Sequence, residues 1–220
     1  MKEKDIKKLI IDIGKRIWTR GFVGGNDGNI SVKLNENEFL TTPTGVSKGF
    51  MNEKMILKID KDGNLLEKNN KYKPSSEIKM HLAVYKKRED INAVIHAHPP
   101  YATSFAVAGI KLDKFILPEA VLSLGKVPLC PYGTPSTMEI PQSLSEYINK
   151  TDVFLLENHG ALTIGIDLID AFYKMEILEH SSKIIHLAYQ LGNVKEISKE
   201  NVEKLKEIRK KLNIKGKVIL

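Results

Sequence analysis

Residues 91–106 read INAVIHAHPPYATSFA, an apolar run that ends in two histidines separated by Ala97 and is stopped at once by two prolines. In a strand, residues i and i+2 point to the same side, so His96 and His98 project together while Ile95 and Ala97 face the opposite layer. Two such imidazoles can share one transition-metal ion, or each can be a hydrogen-bonded histidine at a strand end. His159 occupies a similar setting in VFLLENHGALTIG, before a glycine that lets the backbone turn closely. Glu77 lies at the start of the helix expected before the His96 strand, from where a carboxylate can reach the same place. Three imidazoles and one carboxylate complete a tetrahedral shell, and a replaceable carboxylate would leave a position for substrate. His81, four residues after Glu77, shares its helix face, either as a neighbour of the ligands or as a packed core group. His180 and His186 are six residues apart on a later helix, do not share a face, and read as structural or surface residues.

A second set of residues suits an anion. GNDGNIS, TPTGVSKG and KPSSE are turn-like segments rich in Gly, Ser and Thr, whose free amides and hydroxyls match phosphate oxygens. None is a Walker A loop. Each alone is also an ordinary turn or cap, but a phosphate held by Ser75 and Ser76 would place the phosphorylated molecule beside Glu77.

The elements that must position these groups are legible from periodicity. Ile6, Leu9, Ile10, Ile13 and Ile17 recur at helical spacing and predict an amphipathic helix over 3–20, stopped at Gly21. A short strand from Asn29 follows, then EFLTTP and MILKID, with turn chemistry at DKDGN. Ser75 or Ser76 should cap a helix carrying Ile78, Leu82 and Tyr85. INAVIHAH is a buried strand, PYATSFAVAG a helix opened by proline, and KVPLCPY and DVFLLENHGALTIGI further strands. A long helix runs to Gly192, and residues 199–212 form a last charged one. Irregular alternation with short connections predicts an α/β protein whose mixed sheet is covered by helices, as a single domain over 1–220.

Composition narrows the function. Of 220 residues, 42% are hydrophobic and 28% charged, which suits a folded chain. The formal charge of +7 is concentrated in a basic helix and tail at about 195–220, where nine Lys/Arg face four Glu. No basic stripe is interleaved with aromatics, so nucleic acid is not expected as a partner, whereas an anionic metabolite is. No apolar run is long enough to span a membrane. The N-terminus lacks the apolar stretch of a signal peptide, and Cys130 is the sole cysteine, so a cytoplasmic location is expected.

GNIS at 28–31, TPTG at 42–45, PSSE at 74–77, HAH at 96–98 and NHG at 158–160 together resemble the class II aldolase/adducin family in order and spacing, especially its fuculose-1-phosphate aldolase branch. The resemblance runs from about residue 8 to 190. It implies a three-layer α/β/α sandwich around a mainly antiparallel sheet, with Glu77, His96, His98 and His159 holding Zn2+ or another divalent transition metal. Gly28, Asn29, Thr44, Gly45, Ser75 and Ser76 would form the phosphate pocket. The implied reaction is reversible cleavage of a ketose 1-phosphate, such as L-fuculose 1-phosphate or a ribulose or deoxyribulose 1-phosphate, to dihydroxyacetone phosphate and an aldehyde such as lactaldehyde. Glu77 would move the proton at carbon, and a desolvated carboxyl beside phosphate should have a raised pKa. The resemblance also implies a homotetramer with active sites between subunits.

One departure stands out. The fuculose-phosphate branch has a tyrosine that serves the C4 hydroxyl where this chain reads FILPEAVLSLG, with Leu117 and Glu119. Glu119 is a candidate replacement acid, or simply a carboxylate at a helix start after Pro118. Methylthioribulose-1-phosphate dehydration and ribulose-5-phosphate 4-epimerisation use related chemistry and are the enzyme alternatives. An adducin-like interaction domain is the non-enzyme alternative, although that branch would be expected to lose the metal ligands.

Overall fold

The stripe of isoleucines forms as expected. In the computed structural model, which describes residues 1–68 and 71–220, helix α1 spans Glu3–Thr19 and buries Ile10, Ile13 and Ile17. Gly21 follows it with a φ of +70°, a turn that glycine makes without steric cost. Strands β1 (Asn29–Lys33), β2 (Phe39–Thr41) and β3 (Leu57–Ile59) come next. Between β2 and β3, Lys48–Phe50 and Glu53–Met55 each make a single helical turn, too short to show a period in sequence. Helix α2 (Ile78–Lys87), strand β4 (Ala93–Ala97) and helix α3 (Pro100–Val107) carry the centre of the chain. Helix α4 (Pro118–Ser123), strand β5 (Leu129–Cys130), helix α5 (Glu139–Leu144), strands β6 (Val153–Leu156) and β7 (Gly160–Gly165), and helices α6 (Leu168–Leu191) and α7 (Lys199–Lys211) complete the order.

The seven strands make one open mixed sheet in the order β3-β2-β1-β4-β7-β6-β5, antiparallel except where β5 runs parallel to β6. Strand β4 sits at its centre and shows the strand period directly. Ala93, Ile95 and Ala97 pack into the core shared with α1, α3 and α6, whereas Val94 packs into the core shared with α2 and α5. This is the α/β/α arrangement expected. No helix among the described residues is long and apolar enough to cross a membrane.

One helix boundary differs from the sequence reading. Helix α2 begins at Ile78, not at Ser75 or Ser76, and Glu77 occupies the cap position without a side-chain cap bond. The residues before it pair with the chain after β2: Thr44 N–H donates to the Lys73 carbonyl and Ser75 N–H to the Thr42 carbonyl. That extended pairing holds residues 73–75 out of the helix and brings TPTG against PSS. Helix α3 opens at Pro100, as expected, and its first amides find a partner far away in sequence. The buried Glu179 carboxylate on α6 accepts from the backbone N–H of Tyr101 and Ala102, compensating the unpaired donors and positive end of the helix.

The basic C-terminal segment folds back on its own chain. Helix α7 packs on α4, and the Arg209 guanidinium donates to the carbonyls of Leu122, Lys215 and Gly216. The tail then crosses Asp152, a buried carboxylate that accepts from Arg88, Lys174 and the Lys217 amide at 2.8–3.0 Å. Buried charges in such a network are tolerable because every one is hydrogen-bonded.

Beneath α2, Ser31 Oγ lies 2.7 Å from His81 Nδ1 and 2.8 Å from the Tyr85 hydroxyl, all three side chains buried. Burial pushes the His81 pKa down to about 4, against the opposing pull of Glu77. Because the folded-state value lies below the unfolded one near 6.5, the unfolded chain takes the proton first as pH falls. The stability held by neutral His81 is therefore present above about pH 6.5 and is lost progressively toward pH 4. Urea unfolding in the presence of a chelator should show the wild type losing about 2 kcal/mol more than His81→Gln between pH 7 and pH 5. Equal losses in the two proteins would contradict a buried neutral His81.

Candidate active site

The centre of the sheet sets the register of the histidines. Strand β4 pairs antiparallel with both neighbours, with His96 opposite Asn29 on β1 and opposite Leu162 on β7. His96 is fully buried, and its Nδ1 lies 2.9 Å from the Ala161 carbonyl oxygen. A carbonyl only accepts, so Nδ1 carries the proton and Nε2 presents its lone pair on the other side of the ring. His98 stands just past the strand end, with its Nε2 3.0 Å from that of His96 and its Nδ1 3.6 Å from the Asp27 carboxylate.

His159 arrives from the turn between β6 and β7. Asn158 takes a left-handed φ of +53°, and the following Gly160 packs so closely that a Cβ there would sit 2.6 Å from both the Ala97 carbonyl and the His98 ring. The glycine thus permits the close approach that brings the third imidazole to the other two. Ligand nitrogens of His96, His98 and His159 all lie within 4.8 Å of one another.

Glu77 closes the group. Its Oε2 accepts from Asn29 Nδ2 at 2.9 Å and stands 3.4 Å from His96 Nε2, while Oε1 stands 3.2 Å from His159 Nε2. Oε1 is buried without a hydrogen-bond partner among the described residues. Three converging imidazoles and a carboxylate oxygen with spare acceptor capacity fit a divalent transition metal. Burial pushes the His96 pKa down to about 3, with Glu77 opposing, and also lowers His98. Neutral rings are the form that binds a metal.

The expected rise in the Glu77 pKa is not found. Burial does push it up, but His96, His159 and the Asn29 amide together outweigh burial and hold the carboxyl well below the usual carboxylate range. Desolvation alone was the wrong basis, because the same chain packs favourable partners around the charged form. An ionised Glu77 is set to take a proton rather than to give one at rest.

Beside it opens a cavity of about 220 Å³. Gly28, Asn29, Thr44, Gly45, Ser75 and Ser76 all line it, together with Glu77, His98 and His159. Gly28 and Gly45 have φ of +72° and +71°, the left-handed conformation found in backbone concavities that bind anions. Every residue expected at the metal and phosphate positions is therefore in one place. Pro135 also lines it, as do Asn26 and Asp27, which stand inside GNDGNIS but were not named individually as site residues. Asp27 had a readable signal, a carboxylate directly before Gly28, whereas Pro135 comes from a stretch with no motif.

Glu119 lies elsewhere. It lines a separate groove of about 590 Å³ with Arg20, Glu176 and His180, and none of His96, His98 and His159 of its own chain lines that groove. His186 stacks near Tyr101 and bonds Gln190, outside the site.

Comparison with known proteins follows the same lines. The family model described as Class II Aldolase and Adducin N-terminal domain matches residues 8–186. An L-fuculose phosphate aldolase of Methanococcus maripaludis is 36% identical over 182 residues, 83% of this chain and 96% of the relative. A 3-oxo-tetronate 4-phosphate decarboxylase of Haemophilus influenzae is also 36% identical, over 81% of this chain and 85% of its own length. A solved L-fuculose 1-phosphate aldolase superposes with a TM-score of 0.86 at 32% identity, covering 96% of this chain and 98% of that one.

The contact at Gly160 gives a direct test of the histidine geometry. Gly160→Ala must displace the Ala97 carbonyl or the His98 ring, and a ligand shift of this kind should weaken zinc binding at least ten-fold. Competition against a chromophoric chelator measures this, with circular dichroism as the check on fold. Undiminished affinity in a folded variant would contradict the packing.

Proposed function

This chain belongs to the class II aldolase and adducin N-terminal domain family, as a metal-dependent lyase, and from that premise we propose that it cleaves a ketose 1-phosphate reversibly to dihydroxyacetone phosphate and an aldehyde. L-Fuculose 1-phosphate, giving lactaldehyde, is the leading substrate, and zinc the leading metal. One observation carries the reading: Glu77 touches His96, His159 and Asn29 while lining the same cavity as Ser75, Ser76 and Gly45. A single carboxylate thereby touches the histidine cluster and lines the cavity that we assign to phosphate.

The roles follow from that placement. Amides and hydroxyls of the Gly28, Thr44–Gly45 and Ser75–Ser76 turns orient the phosphate, and so fix where the reacting carbons lie. His96, His98 and His159 would hold a divalent cation, which would supply Lewis-acid stabilisation of negative charge on the substrate oxygens. Glu77, ionised at rest, removes a proton from the hydroxymethyl carbon of dihydroxyacetone phosphate in the condensation direction and returns it on cleavage. The aldehyde side needs a second acid, and Glu119 is our candidate. Since Glu119 lines a different groove of its own chain, this role would require a neighbouring subunit to supply it, as in the homotetramer with sites between subunits that we propose.

Decarboxylation is a second reading, supported by the 36% identical decarboxylase relative. Loss of carbon dioxide from a 3-oxo acid 4-phosphate leaves the enediolate of dihydroxyacetone phosphate, the species that ketose 1-phosphate cleavage also leaves. Both reactions then need a proton delivered to the same carbon by a group in Glu77's position. An aldehyde panel with dihydroxyacetone phosphate separates them, because only the aldolase forms a new carbon–carbon bond. No product with any aldehyde, together with carbon dioxide release from 3-oxo-tetronate 4-phosphate, would replace the first reading by the second.

Glu77→Gln tests what the two share. It should slow exchange of the hydroxymethyl proton of dihydroxyacetone phosphate by at least about 100-fold, while zinc stays bound through the three histidines. Proton NMR in deuterium oxide follows the exchange, and an undiminished rate would remove Glu77 from the chemistry.

A further inference from the structure

The anion cavity carries no lysine or arginine among its described lining residues, but it does carry the carboxylates of Asp27 and Glu77. A phosphate dianion entering it would meet two negative charges and a wall of neutral amides and hydroxyls. The compensating cation is one layer behind. Lys48 is 1% exposed, and its ammonium donates to the Asn26 carbonyl at 3.2 Å and the Val46 carbonyl at 2.6 Å. Asn26 belongs to the turn that presents Gly28 and Asn29, and Val46 follows Thr44 and Gly45. One side chain therefore ties together two turns that both contribute to the cavity wall.

The burial of Lys48 is built in by its surroundings. Gly14 of α1 has no Cβ, and one placed there would come within 3.0 Å of the Lys48 carbonyl oxygen and 2.4 Å of the Met51 side chain. Gly49 lies flat against the Trp18 indole, where a Cβ would come within 2.4 Å of the ring. Two glycines thus allow the turn at 48–50 to sit directly on α1 with the lysine facing inward. A buried ammonium with no ion-pair partner among the described residues is costly, and two carbonyl acceptors offset only part of that cost. Burial pushes its pKa down to about 8, with Asp27 opposing, so it is still mostly protonated at neutral pH.

We propose that Lys48 is the positioning residue of the phosphate pocket. It fixes the spacing of the Asn26 and Val46 turns through their carbonyls, and its charge is the counter-charge that the cavity lining lacks. In a poorly solvated interior that charge acts on the pocket with little screening. Lys48 touches neither the reacting carbons nor the metal ligands, so its removal should weaken phosphate binding rather than the chemical step. The inference rests on the reading of this cavity as a phosphate site.

The test uses zinc-loaded full-length protein and inorganic phosphate as the probe, by isothermal titration. Wild type should bind phosphate, Lys48→Met at least ten-fold more weakly, and Lys48→Arg should recover most of the loss. In the proton-exchange assay, Lys48→Met should raise KM for dihydroxyacetone phosphate about ten-fold with kcat within three-fold of wild type. Exchange of unphosphorylated dihydroxyacetone should not change. A purely structural role would instead affect both substrates and kcat together, and would overturn the proposal. If wild type binds no phosphate, the phosphate-site reading itself fails. If wild type binds and Lys48→Met binds equally well, that reading stands and the role of Lys48 fails. Should Lys48→Met not fold, the Lys48 15N ammonium resonance of the wild type must shift on phosphate saturation, and an unmoved resonance overturns the proposal.

Discussion

The hydrogen bond from His96 Nδ1 to the Ala161 carbonyl is the constraint on which the site depends. It joins His96 on β4 to the backbone of β7, at the place where the two strands pair Ala97 with Ala161. The bond selects the tautomer, points Nε2 toward His98 and Glu77, and is available only in this register. A slip of one residue would turn His96 into the opposite core. Sheet pairing, which is backbone chemistry shared by countless sequences, thereby becomes specific to function through one imidazole. The close packing at Gly160 adds the second condition, since the turn bearing His159 can approach only where no Cβ intervenes.

Electrostatics in the site runs by compensation rather than by exclusion of charge. Glu77 is buried yet ionised, because His96, His159 and Asn29 favour its charged form. Charge is compensated further out as well, with the Asp27 carboxylate near His98 and the Lys48 ammonium behind the Asn26 turn. Fixed dipoles and buried charges of this kind need no rearrangement when substrate arrives, which is where such sites gain over water. The same logic holds far from the cavity, where Asp152 gathers Arg88, Lys174 and the Lys217 amide and so anchors the C-terminal tail.

What the sequence made legible follows from how local each signal is. His96 and His98 carry their geometry in an i, i+2 spacing, and the strand, its proline stop and helix α3 were all readable in the same sixteen residues. Glu77 and His159 are distant in sequence, and motif order located them; periodicity could not have done so. The start of α2 was misplaced because Ser75 answers to a backbone partner, Thr42, on another segment. The Glu77 pKa was misjudged for the same reason, since the groups that lower it come from β1, β4 and the β6–β7 turn. Lys48 stands inside TPTGVSKG, but nothing local marked its side chain as buried. Its burial depends on Gly14 and Gly49 clearing space against α1, which only the folded packing reveals. Cys130 is buried, and burial pushes its thiol up to about 12.

We propose that one chain gathers Glu77, His96, His98 and His159 around a single divalent metal. X-ray absorption at the zinc edge of the zinc-loaded protein measures that directly. Three imidazole nitrogens and carboxylate oxygen at about 2.0–2.1 Å, with no sulfur, are the expected shell, and Glu77→Gln should alter the oxygen contribution while keeping the three imidazoles. A shell with fewer than three imidazoles, or one unchanged when His96 is replaced, would place the metal elsewhere and contradict the site.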